Sequence, residues 1–79
     1  MRATVLVRPK EGILDPQGEA VEQSLRKLGF SVERARVGRV VDLDVEASSA
    51  AEARERVDEM CKQLLANPLI EAYDVEVHE

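Results

Sequence analysis

The chain has 79 residues, 11 basic against 16 acidic, and a formal net charge of −5, with one cysteine, one histidine, one tyrosine and one phenylalanine. That inventory excludes an internal disulfide and makes a poor metal site, while interspersed charges with an acidic excess argue against binding a phosphate backbone, and two aromatics provide no stacking platform for bases. No apolar run is long enough to cross a bilayer, and MRATVLVRPKEG holds no signal-peptide core before its first breaker, so one soluble, cytoplasmic domain spanning residues 1–79 is expected, with neither nucleic acid nor membrane as partner.

RATVLVR places Ala3, Val5 and Val7 opposite Arg2, Thr4, Leu6 and Arg8 and then meets Pro9, which predicts a strand with one buried face and a marked end. In KEGILDPQG, Asp15 has the chemistry of a helix cap and Pro16 suits a first turn, where no amide donor is needed. Val21, Leu25 and Leu28 recur at helical spacing, and Gly29 supplies a left-handed stop with Phe30 beyond it, so the first helix spans about Pro16 to Leu28. Gly18 inside that helix costs about 1 kcal/mol relative to alanine, which implies that something approaches the backbone there.

SVERARVGRVVDLDVEA reads as two extended runs around Gly38-Arg39, a hairpin in which Val41, Leu43 and Val45 alternate with Asp42, Asp44 and Glu46. The earlier run is less regular, since Val32 and Val37 fall on opposite faces unless a bulge intervenes. Ser49 to Glu52 has the spacing of a capping box, and Ala53, Val57, Met60, Cys61, Leu64 and Leu65 form one stripe down a second helix closed by Asn67 and Pro68. Leu69 to Val77 is the last strand, with Tyr73, Val75 and Val77 on one side and Asp74 and Glu76 on the other. The order is a split βαββαβ pattern of the ferredoxin-like kind: an α+β, two-layer fold with two helices on one face of an antiparallel sheet. A core this small returns little beyond the ordering cost of about 1.5 kcal/mol per residue, so self-association is expected to supply the rest.

No residue pattern in the chain carries catalytic chemistry. Cys61 lies on the helix stripe and reads as a core thiol; His78 sits beside the C-terminus, where a frayed, exposed tail is expected. The Asp42, Asp44 and Glu46 carboxylates project in parallel from one strand face and do not converge on a cation. No catalytic, cofactor-binding or metal residue is assigned. The surviving features are Gly12, Pro16 and Gly18 around a helix start, which has the polarity to receive an anion or a partner's carboxylate, and Arg39 at a turn, where a guanidinium offers a bidentate donor to another chain.

KEGILDPQGEAVEQSLRKLGF, then VGRVV, then EMCKQLLANPLIEAYDVEV resembles the PurS family, the small subunit of phosphoribosylformylglycinamidine synthase, over nearly the whole chain and in order. Arg39 fills the basic position after the glycine of the family's central turn. The resemblance implies a non-catalytic subunit of a purine-biosynthesis ligase of the glutamine amidotransferase type, which converts formylglycinamide ribonucleotide to formylglycinamidine ribonucleotide. It implies self-association as a dimer or tetramer, and a bridge between a large synthetase subunit, which uses ATP and magnesium, and a glutaminase subunit that releases ammonia. Asp15, Pro16, Gln17, Gly18, Gly38 and Arg39 match the family's signature positions and are expected to meet partners. Leu69, Ile70, Tyr73, Val75 and Val77 are expected at an interface between copies, the last strand being long because it also serves a neighbour. The competing reading is a ferredoxin-like regulatory domain that binds a metabolite at an oligomer interface.

Overall fold

The computed structural model describes residues 1–79: β1 (Arg2–Pro9), α1 (Pro16–Lys27), β2 (Arg39–Asp44), α2 (Ala50–Met60), a π-helical turn (Cys61–Leu65) and β3 (Glu71–His78). The sheet has three strands in the order β2-β1-β3, all antiparallel. β1 is central, with Val5 opposite Val41 on one side and Val75 on the other. Alternation along β1 buries Ala3, Val5 and Val7, and α2 with the turn that follows it covers that face with Ala53, Val57 and Cys61, all fully buried. Each fully buried valine contributes about 1.5–3 kcal/mol, and Val41, Leu43, Leu65, Tyr73 and Val75 pack around the edge of this cluster. The α+β class, the antiparallel sheet and the two helices are as expected.

The fourth strand does not form. Residues 31–37 carry no strand, and Gly38-Arg39 is the entry to β2 and not a hairpin tip. The backbone groups that a ladder would have used are claimed by side chains of α1 and its cap. Ala35 N–H donates to Glu22 at 2.9 Å and Val37 N–H to Asp15 at 2.8 Å, while Arg26 donates to the carbonyls of Val32 and Glu33. Segment 30–38 is therefore a strap laid along α1.

The helices also differ from the expected pair on one face. Only α2 packs on the sheet; no α1 side chain enters the core cluster. Of the stripe read on α1, Val21 and Leu28 are exposed, Leu28 at 73%, and Leu25 is half-buried, with Phe30 beyond the helix at 60% and Leu14 ahead of it at 83%. The local signals at its ends hold. Asp15 accepts from Gly18 N–H, and Gly29 adopts φ +97° while Gly29 and Phe30 amides bond back to Arg26 and Leu25, closing the helix as the glycine stop predicts.

α2 begins with the Ser49 hydroxyl accepting from Glu52 N–H at 3.1 Å, half of the expected box; the Glu52 carboxylate reaches back one residue further, to the Ser48 amide and hydroxyl. Its end departs from the sequence reading. The π turn is closed by Ala66 N–H donating to Cys61 O at 3.0 Å, five residues back, so the buried positions run Ala53, Val57, Cys61 and then Ala66. That extra residue rotates Leu64 outward to 82% exposure, and Met60 is also exposed.

β3 starts at Glu71, two residues later than expected, because Asn67–Ile70 is a turn in which Ile70 and Glu71 amides bond to Asn67 O. Its length is matched by β1, which it pairs from Arg2–His78 to Pro9–Glu71. Pairing inside the chain uses one edge of β3 over its whole length, and the other edge has no strand beside it. His78 is not frayed; it closes this ladder, with its ring 3.1 Å from the Thr4 hydroxyl.

The molecule is elongated, 49 × 25 × 14 Å, with a radius of gyration of 15.7 Å where a compact chain of this length has about 12 Å. Its accessible surface, 5739 Å², likewise exceeds the roughly 4,800 Å² of a compact monomer of this mass.

Candidate partner-binding site

The residues singled out by sequence, Asp15–Gly18 and Gly38-Arg39, are distant in the chain and meet near the Pro9 end of β1. Asp15 draws them together. Its carboxylate accepts from Gly18 N–H at 3.1 Å and Val37 N–H at 2.8 Å, and the Arg36 guanidinium stands 3.7 Å away. The Val37 amide, then the Gly18 amide, hold its carboxyl below the ordinary value of 3.8. One side chain thus caps α1 and anchors the strap. Pro16 and Gln17 follow on the exposed first turn.

Both glycines are explained by close approach. A Cβ on Gly18 would collide with the Asp15 carboxyl and stand 2.5 Å from the Ala35 carbonyl oxygen, so the group approaching the helix backbone is the strap. A Cβ on Gly38 would overlap the Val7 carbonyl oxygen where the strap crosses onto β1.

Arg39 is engaged within the chain. Its Nη1 and Nη2 donate to Glu71 at 2.6 and 3.0 Å, and Nη2 also donates to Leu65 O at 2.5 Å. The fork ties β2 to the end of the π turn and the start of β3, with Glu71 also accepting from Asn67 N–H. Arg39 holds the Glu71 carboxyl below its usual range, and Glu71 in turn raises the guanidinium. With the Arg39 side chain 49% exposed, the pair is a modest stabiliser; its bidentate geometry fixes the register of three elements.

Two arginines that sequence reasoning did not single out stand beside it. Arg36 donates to the carbonyls of Lys10 and Ile13 while its Nε, buried, has no hydrogen-bond partner. Arg8 makes a single long contact to Asp74, 3.4 Å, on the exposed sheet face. Arg8, Arg36 and Arg39 line an open cavity of about 330 Å³ together with Leu6, Val7, Pro9, Gly38 and Val40. The only sequence signal for the cluster is that three of the chain's eight arginines fall within residues 34–39, which says nothing of Arg8.

Of the residues expected between copies, Leu69 and Ile70 are exposed on the turn, pinned by Lys10 N–H donating to Ile70 O and Lys10 Nζ to Pro68 O. Tyr73, Val75 and Val77 are half-buried on the face that α2 covers. The Tyr73 hydroxyl donates to Asp58 at 2.5 Å, a bond that pushes the phenol up to about 12 and lowers Asp58. Arg54 donates to Val75 O and so occupies part of the free β3 edge. Cys61 is a core thiol, its pKa raised by burial and then by Asp58, so it is no nucleophile. No group of His, Cys, Asp and Glu is arranged to hold a metal ion, and no helix is long and apolar enough to cross a membrane.

Residues 2–79 match the family model described as PurS, phosphoribosylformylglycinamidine (FGAM) synthase. A relative from Archaeoglobus fulgidus, phosphoribosylformylglycinamidine synthase subunit PurS, is 45% identical over 76 residues, covering 95% of each chain. The crystal structure of Methanocaldococcus jannaschii PurS, one of the subunits of formylglycinamide ribonucleotide amidotransferase, superposes with a TM-score of 0.89 at 37% identity, covering 99% of this chain and 95% of that one. A chain of the PurLQS structure from Thermotoga maritima superposes with a TM-score of 0.88 at 36% identity, covering 95% of this chain and 93% of that one.

Proposed function

The chain belongs to the PurS family, and on that premise we propose that it is the small, non-catalytic subunit of a cytoplasmic phosphoribosylformylglycinamidine synthase, bridging the large synthetase subunit and the glutaminase. The observation that carries this reading is the full-length superposition on a subunit of the Thermotoga maritima PurLQS structure. The chemistry of the chain agrees with it: a protein whose thiol is buried and whose strongest ionic groups are spent on each other acts by binding. ATP and magnesium are used by the synthetase subunit, and the small subunit's part is assembly and ammonia transfer between the other two.

Self-association is the second part of the proposal. A chain with nine buried residues, an excess of surface and an apolar helix stripe facing outward completes its core on a second copy. Leu28, Phe30, Leu69 and Ile70 are among the exposed apolar residues available for it, in preference to the half-buried Tyr73, Val75 and Val77. The contacts with the two other subunits are assigned to the end of the sheet where Asp15 to Gly18 and Gly38-Arg39 converge.

The test is glutamine-dependent synthase activity of the purified synthetase and glutaminase subunits from the same genome, with and without this chain. Activity and co-elution that both require its addition are the expected result. Full activity without it would overturn the bridging role.

A further inference from the structure

The cavity at the Pro9 end of β1 is lined by three arginines and no acidic residue, in a chain whose net charge is −5. Their donors are incompletely used. A guanidinium carries five N–H donors; Arg8 places one on Asp74 at 3.4 Å, and Arg36 uses Nη2 on Lys10 O and Ile13 O while its buried Nε faces the Asp15 carboxylate at 3.7 Å. The Arg8 guanidinium, exposed and held by one long contact, has the most donors free for an incoming acceptor. Beside these donors, Leu6, Pro9 and Val40 form an apolar wall, with Val40 60% exposed.

We infer that this cavity receives an acidic side chain, a glutamate or aspartate, from one of the two other subunits of the synthase. The inference deepens the bridging reading and rests on it. A carboxylate meets the guanidinium donors by charge-assisted hydrogen bonds, and the methylenes of a glutamate lie against Leu6 and Val40. The wall is what distinguishes a side chain from a free oxyanion: no helix N-terminus and no glycine-rich loop borders the cavity, so the converging backbone amides that cradle a phosphate are missing. Arg39 contributes charge rather than its fork, which Glu71 already fills.

The experiment uses the intact chain with the purified synthetase and glutaminase subunits, measuring affinity for each by titration at low and high salt. Arg8→Glu and Val40→Asp each place a negative charge at the cavity without touching the core, because both side chains are exposed. Wild type is expected to bind, more weakly as salt rises, and each variant to lose about tenfold or more in affinity for one subunit with its own mass and melting midpoint unchanged. Variants that bind both subunits as tightly as wild type overturn the inference while leaving the bridging role intact. A change confined to the chain's own oligomeric mass overturns it in favour of a contact between copies. A rise in the melting midpoint of the wild-type chain alone with millimolar phosphate, lost in Arg8→Glu, overturns it in favour of a small free anion. A wild-type chain that binds neither subunit overturns the bridging reading, and the inference falls with it.

Discussion

Replacing Gly18 by alanine sets two effects of opposite sign against each other. By helix propensity the change is favourable, since alanine inside a helix is better than glycine by about 0.8–1 kcal/mol, and Gly18 does not use a left-handed backbone. Packing opposes it. The new Cβ would lie 2.5 Å from the Ala35 carbonyl oxygen, about 0.9 Å inside ordinary van der Waals contact, and would collide with the Asp15 carboxyl. The first obstacle is backbone, held by the Ala35 amide bonded to Glu22 and the Val37 amide bonded to Asp15, so the strap must move away from α1. Overpacking costs about 1–3 kcal/mol; contacts this short, one of them to backbone, belong to the upper half of that range, which outweighs the propensity gain and leaves a net destabilisation of about 1–2 kcal/mol. For a domain of this size that is a fall in Tm of about 4–8 °C per kcal/mol. The assay is urea denaturation followed by far-ultraviolet circular dichroism, at matched protein concentration because the midpoint of an associating chain depends on it. Gln17→Ala, exposed on the same turn, sets the baseline. A Gly18→Ala midpoint equal to or above that of wild type would refute the reasoning, since it would mean the strap does not press on the helix.

Two further predictions concern pH. Asp15 has a folded-state pKa below its ordinary 3.8 because the Val37 and Gly18 amides bond to the ionised carboxylate; its stabilisation is complete above that ordinary value and is lost as pH falls through the depressed folded one. Asp15→Asn is therefore expected to give a shallower acid limb in denaturation midpoints taken downward from pH 5, and an unchanged slope would count against the cap-and-anchor role. Tyr73 is raised from 10.0 to about 12 by its bond to Asp58, so between those values the unfolded chain loses its phenolic proton first and stability declines as pH rises. Tyr73→Phe should flatten that alkaline decline between pH 10 and 11.5, and a decline as steep as in wild type would show that the phenol is not its source.

What was legible in the sequence was local. The alternation of β1, the Asp15 cap, the Gly29 stop, the Ser49 cap and the buried Cys61 each depend on neighbours within a few residues, and each is in place. What failed depends on contacts far apart in the chain. Val32 to Val37 has strand-like composition, and no local pattern reveals that Glu22 and Asp15 take the amides of Ala35 and Val37 before any ladder does. The α1 stripe was read correctly as apolar but assigned to the wrong partner, because periodicity gives a face and not what lies against it. The π turn breaks the spacing on which the stripe of α2 was counted, so Leu64 changes sides. Of the partner-site residues, Gly18 announced a close approach to the helix backbone through its residue type alone. Arg39 did not announce Glu71, 32 residues away.

The strap along α1 divides the molecule by stability as well as by shape. The sheet and α2 share one buried cluster and a backbone ladder, whereas α1 and residues 30–38 are joined to each other by side-chain bonds from Asp15, Glu22 and Arg26. Segments that share few buried contacts open at lower free energy than the core they adjoin, as separate cooperative units. The α1 unit is therefore expected to open at lower free energy than the sheet and α2. Docking of a subunit on this end, as proposed, would suppress that opening, so part of the binding free energy would go to ordering the α1 unit.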